Sequence, residues 1–84
     1  MELQFTQGGW DDYLWWQEQD RKVLKRINKL LEATLREPTF GIGKPEQLRT
    51  QQVDLWSRRV TLEHRMVYAI VEDRIVVIQL RYHY

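Results

Sequence analysis

The hydrophobic spacing of this chain changes period once, and that change is the strongest constraint on its fold. Val23, Leu24, Ile27, Leu30, Leu31 and Leu35 recur at the interval of one helix face, with Lys22, Lys25, Arg26 and Lys29 on the other. Asp20 stands where its carboxylate can cap this helix, and Pro38 ends it, because a proline pushes the residue before it out of helical geometry. The segment Pro38-Thr39-Phe40-Gly41-Ile42-Gly43-Lys44-Pro45 holds two Gly and two Pro and reads as a loop. Beyond it come three extended runs, Trp56–Val60, Arg65–Val71 and Ile75–Tyr82, separated by polar turns at 61–64 and 72–74. That is the pattern of a meander of antiparallel hairpins, and a further short strand is expected near 47–49. At the other end, residues 2–6 read as a strand and Gly8-Gly9 as a break. A short first helix follows, with Trp10, Tyr13, Leu14 and Gln17 at helical spacing and Asp11 and Asp12 in its first turn.

The expected fold is therefore α+β, with two N-terminal helices on one face of an antiparallel sheet of four to five strands. Eighty-four residues without a linker allow one domain, spanning residues 1–84, and a hydrophobic content of 43% is enough for a core. The absence of Cys excludes disulfides, a thiolate zinc site and a Cys nucleophile, and suits the reducing cytoplasm. No apolar run approaches the roughly 18 residues that span a bilayer, and Met1–Phe5 lacks the basic start of a leader, so no membrane partner is expected. In the last run Ile75 and Val77 point to one side and Val76, Ile78 and Leu80 to the other. Both faces are apolar, so the second should be covered by the chain or by a partner subunit. Trp10 and Trp56 are expected in the core. Trp15 and Trp16 cannot both face inward from one short helix, so one of them is expected to meet a partner.

Charge is unevenly spread. Residues 1–20 carry five acids and no Lys or Arg, whereas residues 21–84 carry thirteen Lys and Arg against seven Asp and Glu, a balance of +6. A basic segment of this size suits RNA or an acidic protein segment as partner. Polar residues gather in this second part: Lys44, Glu46, Arg49, Arg58, Arg59, Glu63, His64, Arg65, Arg81, His83 and Tyr84. A meander brings Arg65 and Arg81 together. RNA cleavage through the 2′-hydroxyl needs a base, an acid for the departing 5′-oxygen, and fixed cations for the charge growing on phosphate. Glu, His and Arg can supply these, with reference pKa values of about 4.3 for Glu and about 6.5 for His. The residues by themselves leave a catalytic face and ordinary surface ion pairs both open, and His64 reads as a turn residue beside Glu63. The two histidines, His64 and His83, form no helix pair of metal-ligand spacing, so neither a metal nor a cofactor is expected.

Five motifs carry a resemblance: Trp10-Asp11-Asp12-Tyr13, Gly43-Lys44-Pro45-Glu46-x-Leu48, Trp56-Ser57-Arg58-Arg59-Val60, Glu63-His64-Arg65-x-Val67-Tyr68 and the terminal Arg81-Tyr82-His83-Tyr84. Their order and spacing closely resemble the YoeB/Txe toxins of the RelE/ParE superfamily, without a gap from the first helix to the last residue. The resemblance implies a RelE-like, microbial-RNase-like fold and a toxin of a type II toxin–antitoxin pair that binds the 70S ribosome and cuts mRNA in the A site. It implies Glu46 as general base, His83 as general acid, Arg65 as stabiliser of the phosphate charge and Tyr84 as an orienting residue. Lys44, Arg49 and Arg59 would hold RNA backbone. It further implies a homodimer, silenced by a YefM-like antitoxin. Gly8-Gly9 depart from the more polar residues usual there, and Arg49 replaces a frequent Lys, keeping the charge but changing its geometry. The alternative within the superfamily is a non-catalytic, ParE-like inhibitor that binds a protein target such as gyrase, because one scaffold hosts both activities.

Overall fold

The computed structural model describes residues 1–49 and 52–82 and places seven elements in them. These are β1 (Glu2–Phe5), α1 (Gln7–Gln19), α2 (Arg21–Arg36), β2 (Glu46–Gln47), β3 (Asp54–Arg59), β4 (Arg65–Val71) and β5 (Arg74–Gln79). Asp20 caps α2 as expected, its Oδ1 accepting the N–H groups of Lys22 at 3.0 Å and Val23 at 3.1 Å. From the α2 stripe, Ile27, Leu30 and Leu31 are buried, and Val23, Leu24 and Leu35 pack beside them. Full burial of one such side chain stabilises a fold by about 1.5–3 kcal/mol, so this stripe fastens the helix layer to the sheet. The helix closes at Glu37, directly before Pro38.

The sheet order is β1-β5-β4-β3-β2. Strands β2 to β5 pair antiparallel, as a meander requires. The β1 strand joins β5 in parallel, Glu2 beside Arg74 and Phe5 beside Val77, so the five-stranded sheet is mixed rather than wholly antiparallel. Two helices and three strands separate β1 from β5 in the chain, and no hairpin dictates their relative direction.

Helix α1 begins at Gln7 and takes Gly8 and Gly9 into its first turn, where the sequence suggested a break. Thr6 caps it, Oγ1 accepting from the N–H of Gly9 at 3.1 Å. Glycine is needed at position 9 because a Cβ there would lie 2.3 Å from the carbonyl oxygen of Val77; the helix rests directly on the backbone of β5. The earlier start moves Asp11 and Asp12 out of the first turn, and the face that the helix buries carries Gly9 and Trp16. Asp12 Oδ2 now accepts the N–H of Leu80 at 2.9 Å, and the buried Trp16 donates its indole N–H to the carbonyl of Leu80 at 2.9 Å. Trp10, expected in the core, is instead 43% exposed and stacks on Tyr13. Trp56 packs against the core as expected. Trp16 is the member of its pair that faces inward, while the half-buried Trp15 meets it edge-on and carries the Arg81 guanidinium 3.7 Å over its ring.

One irregularity resets the alternation of β5. Tyr68 pairs with Val77 but Val67 pairs with Gln79, which leaves Ile78 as the extra residue of a bulge. Leu80 therefore joins Ile75 and Val77 in the core instead of sharing the far face with Val76 and Ile78. On that far face Val67 and Ala69 are buried and Val76 and Ile78 half-buried, so the chain itself covers part of it. Among the described residues no helix is long and apolar enough to cross a membrane.

Candidate active site

Residues paired directly across neighbouring strands project to the same side of a sheet. The register therefore assembles a row on the face turned away from the helices. Glu46 of β2 lies beside Ser57 of β3, Ser57 beside Val67 of β4, and Val67 beside Gln79 of β5. Two residues along β3, Arg59 stands opposite Arg65, the first residue of β4. A carboxylate, a hydroxyl, two guanidiniums and an amide thus share one face. Ser57 is fully buried, with Nη1 of Arg65 at 3.5 Å from its Oγ. Like charges directly opposite each other weaken a sheet, whereas two planar guanidiniums match the oxygens of a phosphodiester.

Between Ser57 and Arg59 the strand sends Arg58 the other way, into the helix side, where it is fully buried. Its acceptors are neutral. Nη2 donates to the carbonyls of Glu37 at 2.6 Å and Phe40 at 3.0 Å, Nη1 to that of Ile42 at 2.9 Å, and Nε to the hydroxyl of Tyr68 at 3.1 Å. The Glu37 carbonyl ends α2, so the cation also faces the negative end of the helix dipole. Tyr68 in turn donates to the carbonyl of Pro38 at 2.6 Å. Burial pushes the Tyr68 phenol above its usual pKa of 10.0, and the Arg58 cation draws it partly back.

This buried fork pins the loop that delivers the row's carboxylate. Gly43 closes the loop with φ +83, its carbonyl accepting the Arg59 N–H at 2.7 Å, and a Cβ there would meet Leu30 Cδ2 at 2.7 Å. Lys44 follows, also left-handed at φ +50. Lys44, Glu46 and Arg49 are all exposed, the two cations on either side of the carboxylate along the chain.

The expected site residues fare differently. The register brings Glu46, Arg59 and Arg65 to one face, with Lys44 and Arg49 flanking Glu46 but outside the row. His83 and Tyr84 lie outside the described residues. Arg81, expected beside Arg65, lays its guanidinium on Trp15 instead, because a flat indole offers a cation a better surface than a second cation does. Tyr82, the last described residue, is tied to the row by its carbonyl, which accepts the N–H of Arg65 at 3.0 Å. Ser57 and Gln79 were not singled out from the sequence. Their signal was available in the strand register, since Ser57 falls opposite Val67 once the two runs are drawn as a hairpin.

Residues 5–84 match the family of YoeB-like toxins of bacterial type II toxin–antitoxin systems. Toxin YoeB of Escherichia coli (strain K12) is 48% identical over 84 residues, 100% of each chain. Among solved structures, the YoeB/ParE toxin from Agrobacterium tumefaciens is similar at a TM-score of 0.94 and 44% identity, covering 100% of both chains. The YoeB dimer from Staphylococcus aureus follows at 0.90 and 36%, covering 100% of this chain and 98% of that one. A YoeB–YefM complex from the same organism gives 0.87 and 35%, with the same coverage. The RelE–RelB complex from Pyrococcus horikoshii OT3, at 14% identity and a TM-score of 0.76, shares the fold alone.

Proposed function

This chain belongs to the YoeB-like toxins of bacterial type II toxin–antitoxin systems, and from that premise we propose that it is an endoribonuclease that cuts mRNA in the ribosomal A site. The observation that supports the reading is the shared sheet face of Glu46, Arg59 and Arg65, a carboxylate beside two guanidiniums. Glu46 takes the proton of the 2′-hydroxyl, and the oxygen attacks the neighbouring phosphorus. Arg65, with Arg59 opposite, stabilises the charge that builds on the phosphate oxygens. His83 protonates the departing 5′-oxygen, and Tyr84 orients the reacting phosphate. The chemistry needs no metal, and its products are a 2′,3′-cyclic phosphate and a 5′-hydroxyl.

Lys44 and Arg49, exposed on either side of Glu46, hold the RNA backbone. The ribosome supplies what an open sheet face cannot, a fixed position for a single-stranded substrate. The protein acts in the cytoplasm, as a homodimer when free, and is silenced by a YefM-like antitoxin; the dimer and the YoeB–YefM complex from S. aureus support that pairing.

The test is primer extension on an mRNA in programmed 70S ribosomes, with intact protein beside Glu46→Ala and His83→Ala and with naked mRNA in parallel. A-site cuts by the intact protein alone, on ribosomes alone, are the expected result. Absence of cuts from folded protein would overturn the reading and turn attention to a stoichiometric protein target.

A further inference from the structure

His64 does more than fill a turn. The turn closes through the backbone: the His64 carbonyl accepts the N–H groups of Val60 at 2.9 Å and Thr61 at 3.1 Å, and Thr61 Oγ1 accepts the His64 N–H at 3.1 Å. None of these bonds uses the imidazole. The ring lies edge-on to Trp16, centroids 4.9 Å apart, and its Nδ1 accepts the backbone N–H of Tyr82 at 2.8 Å. In this contact the lone pair of Nδ1 is the acceptor.

The next residue completes the hold. Arg65 donates its backbone N–H to the Tyr82 carbonyl at 3.0 Å, and Gln79 Nε2 donates to the Arg81 carbonyl at 2.8 Å. Both backbone groups of Tyr82 are therefore gripped by the consecutive residues His64 and Arg65. Tyr82 has φ +61, a left-handed conformation that is unfavourable for a non-glycine residue and persists only where its surroundings over-determine it. Strain of this kind is held directly before His83 and Tyr84, by a residue adjoining the phosphate-binding Arg65.

We propose that His64 is a positioning residue: its Nδ1 lone pair holds Tyr82, the residue directly before His83 in the chain, in its left-handed turn. The proposal rests on the endoribonuclease reading, in which His83 delivers a proton and must arrive at one place. His64 itself touches no RNA. Its loss acts on the rate of the chemical step and leaves substrate binding, which the cations govern, nearly as it was.

Three variants separate this role from simple packing. His64→Phe keeps a ring against Trp16 and removes the acceptor. His64→Asn puts an amide oxygen where Nδ1 stood, and His64→Gln places it a bond further out, near Nε2. Cleavage on programmed ribosomes gives kcat and KM, amide hydrogen exchange reads the Tyr82 N–H, and thermal melts confirm folding. We expect kcat to fall about tenfold to a hundredfold in Phe and Gln, with KM within about twofold and faster exchange at Tyr82. His64→Asn should recover both readouts to within about threefold of the intact protein. Unchanged kcat in folded Phe or Gln variants would overturn the proposal, as would equal losses in Asn and Gln. If Phe fails to fold, the Asn and Gln pair decides alone. No cleavage by the intact protein would instead overturn the endoribonuclease reading and the catalytic consequence with it, while Tyr82 exchange would still show whether His64 is the anchor.

Discussion

Replacing Arg58 by Met tests how the loop that presents Glu46 is held. Met has nearly the length of the Arg stem, so the change removes the guanidinium while filling most of its channel. Four hydrogen bonds from a charged donor are lost, to Glu37, Phe40, Ile42 and Tyr68. Each such bond nets about 1.5–3 kcal/mol, but a plain sum overshoots. The carbonyls of Glu37, Phe40 and Ile42 belong to exposed residues and can turn to water, and Tyr68 keeps its bond to Pro38. Removing a buried cation also relieves its desolvation. We therefore expect a loss of about 2–4 kcal/mol, near two unreplaced charged bonds. Arg58→Lys should cost about 1.5–3 kcal/mol, because one ammonium cannot span acceptors arranged for a planar fork. Urea unfolding followed by tryptophan fluorescence measures both, with an unchanged slope as the sign that only stability moved. In a domain of this size each kcal/mol should lower the thermal midpoint by about 4–8 °C. An Arg58→Met protein within about 0.5 kcal/mol of the parent would refute the reasoning: desolvation would then offset the fork in full, and Gly43 and β3 would be enough to hold the loop.

Gly9→Ala should cost about 3 kcal/mol or more, since the new Cβ would press on the Val77 carbonyl and α1 would have to lift from β5; a melt within about 3 °C of the parent would show that the helix slides freely. Asp20→Ala should cost about 1 kcal/mol by stripping the cap from Lys22 and Val23, read by urea titration, with no change as the contrary result. Tyr68 gives an alkaline signature. Its folded pKa lies above 10.0, so the folded state holds the phenolic proton more tightly, and the stability this gives is complete below pH 10 and lost as pH rises through the folded value. Between about pH 9 and about pH 11 the parent should therefore lose more stability than Tyr68→Phe, and parallel losses would place the alkaline effect elsewhere.

Much of the architecture was legible because it rests on local signals. The stripe from Val23 to Leu35, its cap at Asp20 and its stop at Pro38 needed only short-range chemistry. What escaped depends on contacts between distant residues. Gly8-Gly9 look like a break until Val77 stands beside position 9, and Trp10 looks like core until Gly9 and Trp16 take the buried face of α1. Leu80 crosses to the helix side because of a bulge at Ile78 that no alternation pattern announces. At the candidate site the residue types of Glu46, Arg59 and Arg65 were legible from motifs and resemblance, while their shared face is a matter of register. Arg58 and Arg59 show the limit best. Neighbours of identical chemistry go to opposite sides of one strand, one fully buried as a loop anchor and one exposed.

The parallel pairing of β1 with β5 has a consequence for how such a chain comes into being. Glu2 meets Arg74 and Phe5 meets Val77, so the first strand waits for a partner made 72 residues later. Helix α1 waits as well, since Gly9, Asp12 and Trp16 all rest on residues 77–80. During vectorial synthesis the growing polypeptide has a helix, α2, and a meander to assemble, but β1 and α1 lack the strand they dock on until β5 emerges. A product cut short before β5 would leave Trp10, Tyr13, Trp15 and Trp16 without a sheet, an aromatic surface open to proteases and to quality-control factors. Burial of β1 and α1 thus waits on β5, the strand on which both of them rest.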